Sequence, residues 1–228
     1  MSLSPDLLLA PAALEGAPAE EILTWAIEAF FPDVAVACSM QDGVLVDLAV
    51  RIEPRIEVCF LETGFHFPET LQTARRLQER YRLNLVELRP ADDAPVYALD
   101  GIEACCAARR VVPMDRYLAG KRAWVSGLRR AESPTRAQAQ AVEWDARRGL
   151  VKVNPLVSWT DDEVARYAEE HDVVVNPLRG QGYDSIGCAP CTQPGAGREG
   201  RWEGTGKLEC GLHLEERPRL RLLGRGES

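Results

Sequence analysis

Val34-Ala-Val-Ala-Cys38, Asp42 to Arg51 and Ile56-Glu-Val-Cys-Phe-Leu61 decide the fold class of this 228-residue chain. The first and third are short apolar runs of buried-strand length, and the segment between them has helical spacing. The alternation continues outward on both sides. Pro68 opens a polar-faced helix to Tyr81, at a first-turn position where the missing N–H of proline costs nothing. Leu83 to Leu88 follows as a third strand, Ala123-Trp-Val-Ser-Gly127 as a fourth and Leu150-Val-Lys-Val-Asn154 as a fifth. Upstream, Ile22, Leu23, Ala26, Ile27 and Phe30 form a helical stripe over Ala19 to Phe31, which stops at Pro32. Downstream, Thr160-Asp-Asp-Glu163 has the form of a capping box and starts a helix to about His171. Strand–helix alternation of this kind predicts an α/β fold, a parallel sheet with helices on its faces.

Residues 1–18 are rich in Pro, Ala and Leu without a period and are expected to form a flexible lead-in. The α/β domain is expected over 19–206 and a separate C-terminal segment over 207–228. From Asn176 to Gly206 the chain is dense in Gly and Pro. An irregular stretch of that length, carrying cysteines and arginines, predicts function rather than simple connection. The net charge of −8 argues against a nucleic-acid-coating surface or a polybasic membrane anchor. No run approaches the roughly 18 apolar residues of a membrane span, and Met1-Ser-Leu-Ser-Pro-Asp lacks the positive start of a signal peptide. A cytoplasmic protein is the expectation. With 46% hydrophobic residues the chain has the composition of an ordinary globular domain.

The seven cysteines are clustered rather than spread. Cys105-Cys106 lie side by side in an Ala- and Arg-rich helical segment that continues past Pro113 toward Leu118, and Cys188-Ala-Pro-Cys191 is a CxxC. An odd number of thiols in a chain of cytosolic appearance disfavours a disulfide framework. Two pairs supply four thiolates, the set that holds one zinc ion or one iron–sulfur cluster. Adjacent side chains normally diverge, so Cys105 and Cys106 need a local backbone distortion to share a centre. The competing readings are a redox dithiol and buried structural thiols. The dithiol needs a helix start after the first cysteine, which Gln193-Pro-Gly-Ala-Gly197 denies. Cys38 and Cys59 fall in the strand runs and are expected to be small core residues.

Cys210, in Lys207-Leu-Glu-Cys-Gly-Leu-His213, stands apart. A thiolate nucleophile wants positive charge and exposure, and a Gly-flanked segment ending Arg217-Pro-Arg219 offers both. Arg109-Arg110, Arg129-Arg130 with Arg136, and Arg198 with Arg201 have the fork chemistry that grips phosphate or sulfate oxygens. Ser39-Met-Gln-Asp-Gly43 follows the first strand, where an open parallel sheet presents a helix start to a ligand phosphate. It is neither GxGxxG nor GxxxxGK[ST], so a dinucleotide oxidoreductase and a P-loop NTPase are disfavoured. Three histidines, His66, His171 and His213, are too scattered for a histidine metal set.

Several stretches together resemble the assimilatory adenylyl-sulfate and phosphoadenylyl-sulfate reductases. They are Leu61-Glu-Thr-Gly-Phe-His-Phe-Pro68, Trp124-Val-Ser-Gly-Leu-Arg-Arg130, Val153-Asn-Pro-Leu-Val-Ser-Trp-Thr160, Gly182-Tyr-Asp-Ser-Ile-Gly-Cys-Ala-Pro-Cys-Thr192 and Lys207 to His213. The resemblance implies an adenine-nucleotide α-hydrolase-like fold with a C-terminal catalytic segment. It implies a [4Fe-4S] cluster on Cys105, Cys106, Cys188 and Cys191, and adenylyl sulfate as substrate, because cluster-bearing members generally use that nucleotide. It makes Cys210 the nucleophile with His213 beside the sulfate. Ser39, the Leu61-Glu62-Thr63-Gly64 run, Arg110, Arg129, Arg198 and Arg201 become substrate contacts. Where cluster-bearing members usually carry lysine, this chain has Arg110. The implied reaction releases sulfite and AMP through an S-sulfocysteine, with thioredoxin or glutaredoxin as dithiol donor, and is compatible with a homo-oligomer. A phosphoadenylyl-sulfate reductase is the rival within the fold. A tRNA sulfur-insertion enzyme, which usually shows an SGG-x-D-S loop, and a zinc-stapled binding module are the rivals outside it.

Overall fold

In the computed structural model, which describes residues 13–213, six strands form one sheet. They are β1 (Val34–Ala37), β2 (Glu57–Leu61), β3 (Asn84–Leu88), β4 (Ala123–Ser126), β5 (Val142–Asp145) and β6 (Leu150–Val153). Their order across the sheet is β3-β2-β1-β4-β6-β5. All neighbours run parallel except β5, which pairs antiparallel with β6. The central strands β4 and β6 are buried along their whole length, as strands covered on both faces must be.

The five predicted strands are all present, within a residue or two of the expected ends. The sixth, β5, is not announced by the sequence pattern. Val142-Glu-Trp-Asp145 is only four residues long, and of its residues only Val142 is buried while Trp144 is exposed. The helices α1 (Ala19–Phe30), α2 (Val44–Ile52), α3 (Pro68–Tyr81) and α6 (Asp161–Glu170) follow the predicted pattern. At Thr160 the capping box is formed: Glu163 N–H donates to Thr160 Oγ1 at 3.2 Å, and Thr160 N–H to Glu163 Oε2 at 2.7 Å. The lead-in expectation does not extend to its last residues. Leu14 is buried, and Glu15 accepts from the Ala141 N–H at 3.0 Å and pairs with Arg130.

One face of the sheet packs against α1, α2, α3 and α6 through residues such as Leu23, Leu48, Leu77 and Val164. The other face carries a second apolar cluster, with Val111, Met114, Leu118, Trp124, Trp202, Cys210 and Leu212. This second face is covered by helix α4 (Tyr97–Cys106), a π-helical turn (Ala107–Val111) and helix α5 (Val112–Leu118). The irregular stretch and the strap at 207–213 complete the cover.

Sheet order reverses between β1 and β4, and their C-terminal ends open the crevice where ligands of such sheets bind.

Candidate active site

A cavity of about 170 Å³ occupies that crevice. The turn after β1 (Cys38, Ser39, Gln41, Asp42), the end of β2 (Leu61) and the turn after β4 (Gly127, Leu128, Arg129) form its base. Ser39 and Leu61 therefore line it. Asp42 Oδ1 accepts from the Val44 N–H at 3.1 Å at the start of α2, with burial pushing its carboxyl upward against the pull of that N–H and of Arg129. Five arginines face this cavity: Arg110, Arg129, Arg136, Arg198 and Arg201. Arg129 is anchored by Asp161 at 2.7 Å, and Arg201 by Ser185 Oγ at 3.1 Å and Ile186 O at 3.2 Å. Burial, then the charges of Arg110 and Arg198, pushes Arg201 down to about 10. Crowded, half-dehydrated guanidinium groups of this kind await an anion. Gly187 makes room for Arg201, since a Cβ there would collide with the guanidinium.

Glu62, Thr63 and Gly64 do not line this cavity. Glu62 accepts from the Gly64 N–H at 2.8 Å and from Arg89 at 2.7 Å. Buried Thr63 places Oγ1 3.3 Å from Cys188 Sγ, and its carbonyl accepts from Arg109 at 3.0 Å. The strand ends at Leu61, and the chain then turns away from the crevice toward the CxxC. A backbone bridge between His66 and Cys188, and the Ala189 N–H donating to Phe65 O at 2.7 Å, fasten the two segments together.

Cys105, Cys106, Cys188 and Cys191 line a second, smaller cavity beside the first. The helix that carries Cys105 and Cys106 widens into a π turn immediately after Cys106. Arg109 locks this turn by donating to the carbonyls of Pro95, Ala94 and Thr63. Cys188 and Cys191 bracket a 3₁₀ turn. Burial, followed by other effects including neighbouring thiols, pushes Cys106 and Cys191 up to about 11. Among the described residues no three such side chains converge as ligands of a single ion. Arg110 lines both cavities, with Nη1 3.9 Å from Cys188 Sγ.

Cys210 also lines the larger cavity. It is buried rather than exposed. Burial raises its thiol, but Arg110, the Leu212 N–H and Arg201 together outweigh it and bring the net shift downward. Cys38 and Cys59 are in the same wall, yet burial pushes both up to about 12 and leaves them inert thiols. His213 stacks on Trp124 with 5.6 Å between ring centroids. Arg217 and Arg219 lie outside the described residues.

A family model, the phosphoadenosine phosphosulfate reductase domain, matches residues 33–194. The chain is 45% identical to an adenosine 5'-phosphosulfate reductase of Mycobacteroides abscessus, over 89% of this chain and 90% of that protein. It is 44% identical to one of Streptomyces coelicolor, over 88% and 90%. The chain belongs to the phosphoadenosine phosphosulfate reductase family. In structure it is similar to a phosphoadenylyl-sulfate reductase of Candida auris in a phosphate complex, with TM-score 0.72 and 23% identity over 85% of this chain and 99% of that one. A likeness to Candida glabrata FMN adenylyltransferase, at TM-score 0.58 and 16% identity over 77% and 64%, shows the same fold. The family match stops short of the strap. Arg147 and Arg148, which hold the strap, and Glu209 were not singled out from the sequence. The contacts that tie them across the strap, Arg148 to Leu212, Arg147 to Gly211 and Arg136 to Glu209, each span more than 60 residues, and no local spacing announces such pairs.

Proposed function

We propose that this protein reduces adenylyl sulfate to sulfite and AMP, with Cys210 as nucleophile. The observation that carries the reading is a thiol held below its ordinary pKa in an arginine-lined cavity at the nucleotide end of the sheet. The curated relatives, named for adenosine 5'-phosphosulfate, favour that nucleotide over the 3'-phosphorylated one.

Cys210 Sγ attacks the sulfur of the sulfo group. The bond from that sulfur to the bridging oxygen breaks, and AMP leaves with the electron pair. Arg129, Arg198 and Arg201 take the negative charge that grows on phosphate and sulfo oxygens. His213, neutral on Trp124, offers a ring nitrogen on the same side. The S-sulfocysteine is then opened by a thiolate of an external dithiol protein, thioredoxin or glutaredoxin, which attacks Cys210 Sγ and releases sulfite. The donor's second thiol resolves the mixed disulfide, so two electrons pass from dithiol to sulfur and Cys210 returns. The raised pKa values of Cys38 and Cys59 argue against an internal resolving thiol.

Cys105, Cys106, Cys188 and Cys191 are the residues that would hold a [4Fe-4S] cluster. Four thiols lining one cavity are the donor set that such a cluster takes. Bound there, the cluster supplies a charged, polarisable body beside Arg110. All seven cysteines are unpaired, which suits a reducing cytoplasm, and among the described residues no helix is long and apolar enough to cross a membrane.

The test is sulfite release from each nucleotide with thioredoxin, on anaerobically purified protein. Wild type should prefer adenylyl sulfate, and Cys210→Ser should lose on the order of 10⁴-fold or more in kcat, as loss of a nucleophile does. A Cys210→Ser protein that still releases sulfite would overturn the assignment.

A further inference from the structure

The strap from Lys207 to His213 has no regular secondary structure, yet it brings a reactive thiol to one place. It is gripped on both sides of Cys210. On the N-terminal side Glu209 enters a buried ionic group. Arg136 donates to it through Nε at 2.8 Å and Nη2 at 3.0 Å, Arg198 at 3.2 Å, and Thr135 Oγ1 at 3.2 Å. On the C-terminal side the turn between β5 and β6 reaches over the strap. Arg147 Nη1 donates to Gly211 O at 3.3 Å and Arg148 Nη1 to Leu212 O at 3.0 Å. Those two arginines are themselves fixed. Asp115 of α5 takes Arg147 at 2.7 Å and Arg148 at 2.8 Å, and Asp145 takes Arg148 at 2.8 Å. Trp124 lies beneath, with Arg148 over its ring at 5.4 Å, His213 stacked on it, and its Nε1–H donated to Asp145 at 3.2 Å.

We infer that Arg147 and Arg148, in the β5–β6 turn, and Arg136, in the loop after β4, are positioning residues that seat the strap and so aim the Cys210 thiolate. The two grips differ in kind. Arg147 and Arg148 are neutralised by Asp115 and Asp145 whether or not the strap is present, and they offer it only spare N–H donors. Because backbone carbonyls are what they hold, this grip fixes register and is indifferent to side chains. Glu209 instead brings its own charge into a buried site, so removing that charge leaves Arg136 to Glu132 alone and Arg198 without its carboxylate. The antiparallel edge hairpin thus serves as the receptor for the strap. A dithiol protein must displace both grips to reach a buried Cys210. The catalytic consequence rests on Cys210 as nucleophile; the grip itself does not.

The experiment measures how fast iodoacetamide alkylates Cys210, read by mass on the peptide that contains it, at one pH under anaerobic conditions. Binding of AMP and the melting temperature are followed in parallel. Glu209→Gln and Arg147→Ala should each expose Cys210 about tenfold or more, as loss of a charged hydrogen bond does. AMP binding should stay within about twofold for Arg147→Ala. Sulfite release by Arg147→Ala should lose kcat rather than gain KM. Arg147→Lys keeps the charge beside Asp115 but lacks a fork for Gly211 O. It should alkylate like Arg147→Ala while melting like wild type, which separates the grip from folding. Unchanged alkylation in both Glu209→Gln and Arg147→Lys would overturn the inference. Alkylation reads the seat without any turnover, so its failure is distinct from retained sulfite release by Cys210→Ser.

Discussion

Two groups of cysteines sit on the same face of one sheet, and their surroundings treat them in opposite ways. Cys105, Cys106 and Cys191 are held by a helix and a 3₁₀ turn, and burial with neighbouring thiols drives their pKa values up. Cys210 is as buried as Cys105 and Cys106 but hangs on an irregular strap among arginines, and its pKa comes down. Burial alone would leave all of them inert. Arginines pull on both groups, but only at Cys210 do Arg110, the Leu212 N–H and Arg201 together outweigh burial. Arg110 faces both cavities and is the hinge of the contrast. Burial opposes its charge, but Cys210, Cys188 and Cys106 outweigh that and keep it charged.

The strongest break in this comparison is Cys188→Ser. Losing one ligand should remove the visible colour and bound iron and lower stability by several kilocalories per mole, since metal binding is folding energy. Cys210→Ser should keep both the colour and the melting temperature. Absorption, iron counts and thermal melts check the pair.

Arg110→Met sharpens the contrast from the nucleophile's side. The arginine lowers the Cys210 pKa, so thiolate persists to lower pH, and activity falls as pH drops through that lowered pKa. Without the cation the midpoint for S-sulfonation should move up, and the rate at neutral pH should fall. Single-turnover rates across pH measure it; an unmoved midpoint would assign the lowering elsewhere.

The smallest effect concerns docking of the strap. Burial, then Lys152, Arg136, Arg198 and Arg148, holds docked His213 well below the ordinary imidazole range. Undocked in water it titrates near about 6.5. As pH falls through that value the free strap binds a proton that the docked strap refuses. Docking therefore weakens with acid, by up to about tenfold between roughly pH 7.5 and 5.5. Hydrogen exchange of the strap, scaled to intrinsic rates, should show this in wild type and not in His213→Phe.

Much of the fold was legible because it rests on local rules. Short apolar runs gave five strands, Pro68 opened α3 at the predicted residue, and the Thr160–Glu163 pair capped α6. The edge strand β5 was not legible, being short and half polar, and its parallel-sheet neighbours gave no cue for an antiparallel edge. The cysteine pairs could be matched to each other by count, and the structure brings all four to one cavity. Glu62, Thr63 and Gly64 could not be placed, since only the chain's turn after β2 sends them toward Cys188. The grips on the strap escaped for the same reason. Glu209 meets Arg136 across 73 residues, and Arg148 meets Leu212 across 64.

The central claim is that Cys210, not one of the four clustered thiols, attacks sulfur. The direct measurement is intact-protein and peptide mass after adenylyl sulfate is added without any dithiol donor. The account predicts one added sulfo group per chain, located on Cys210, with one equivalent of AMP released. A sulfo group on any other cysteine, or AMP released with the protein unmodified, would contradict it.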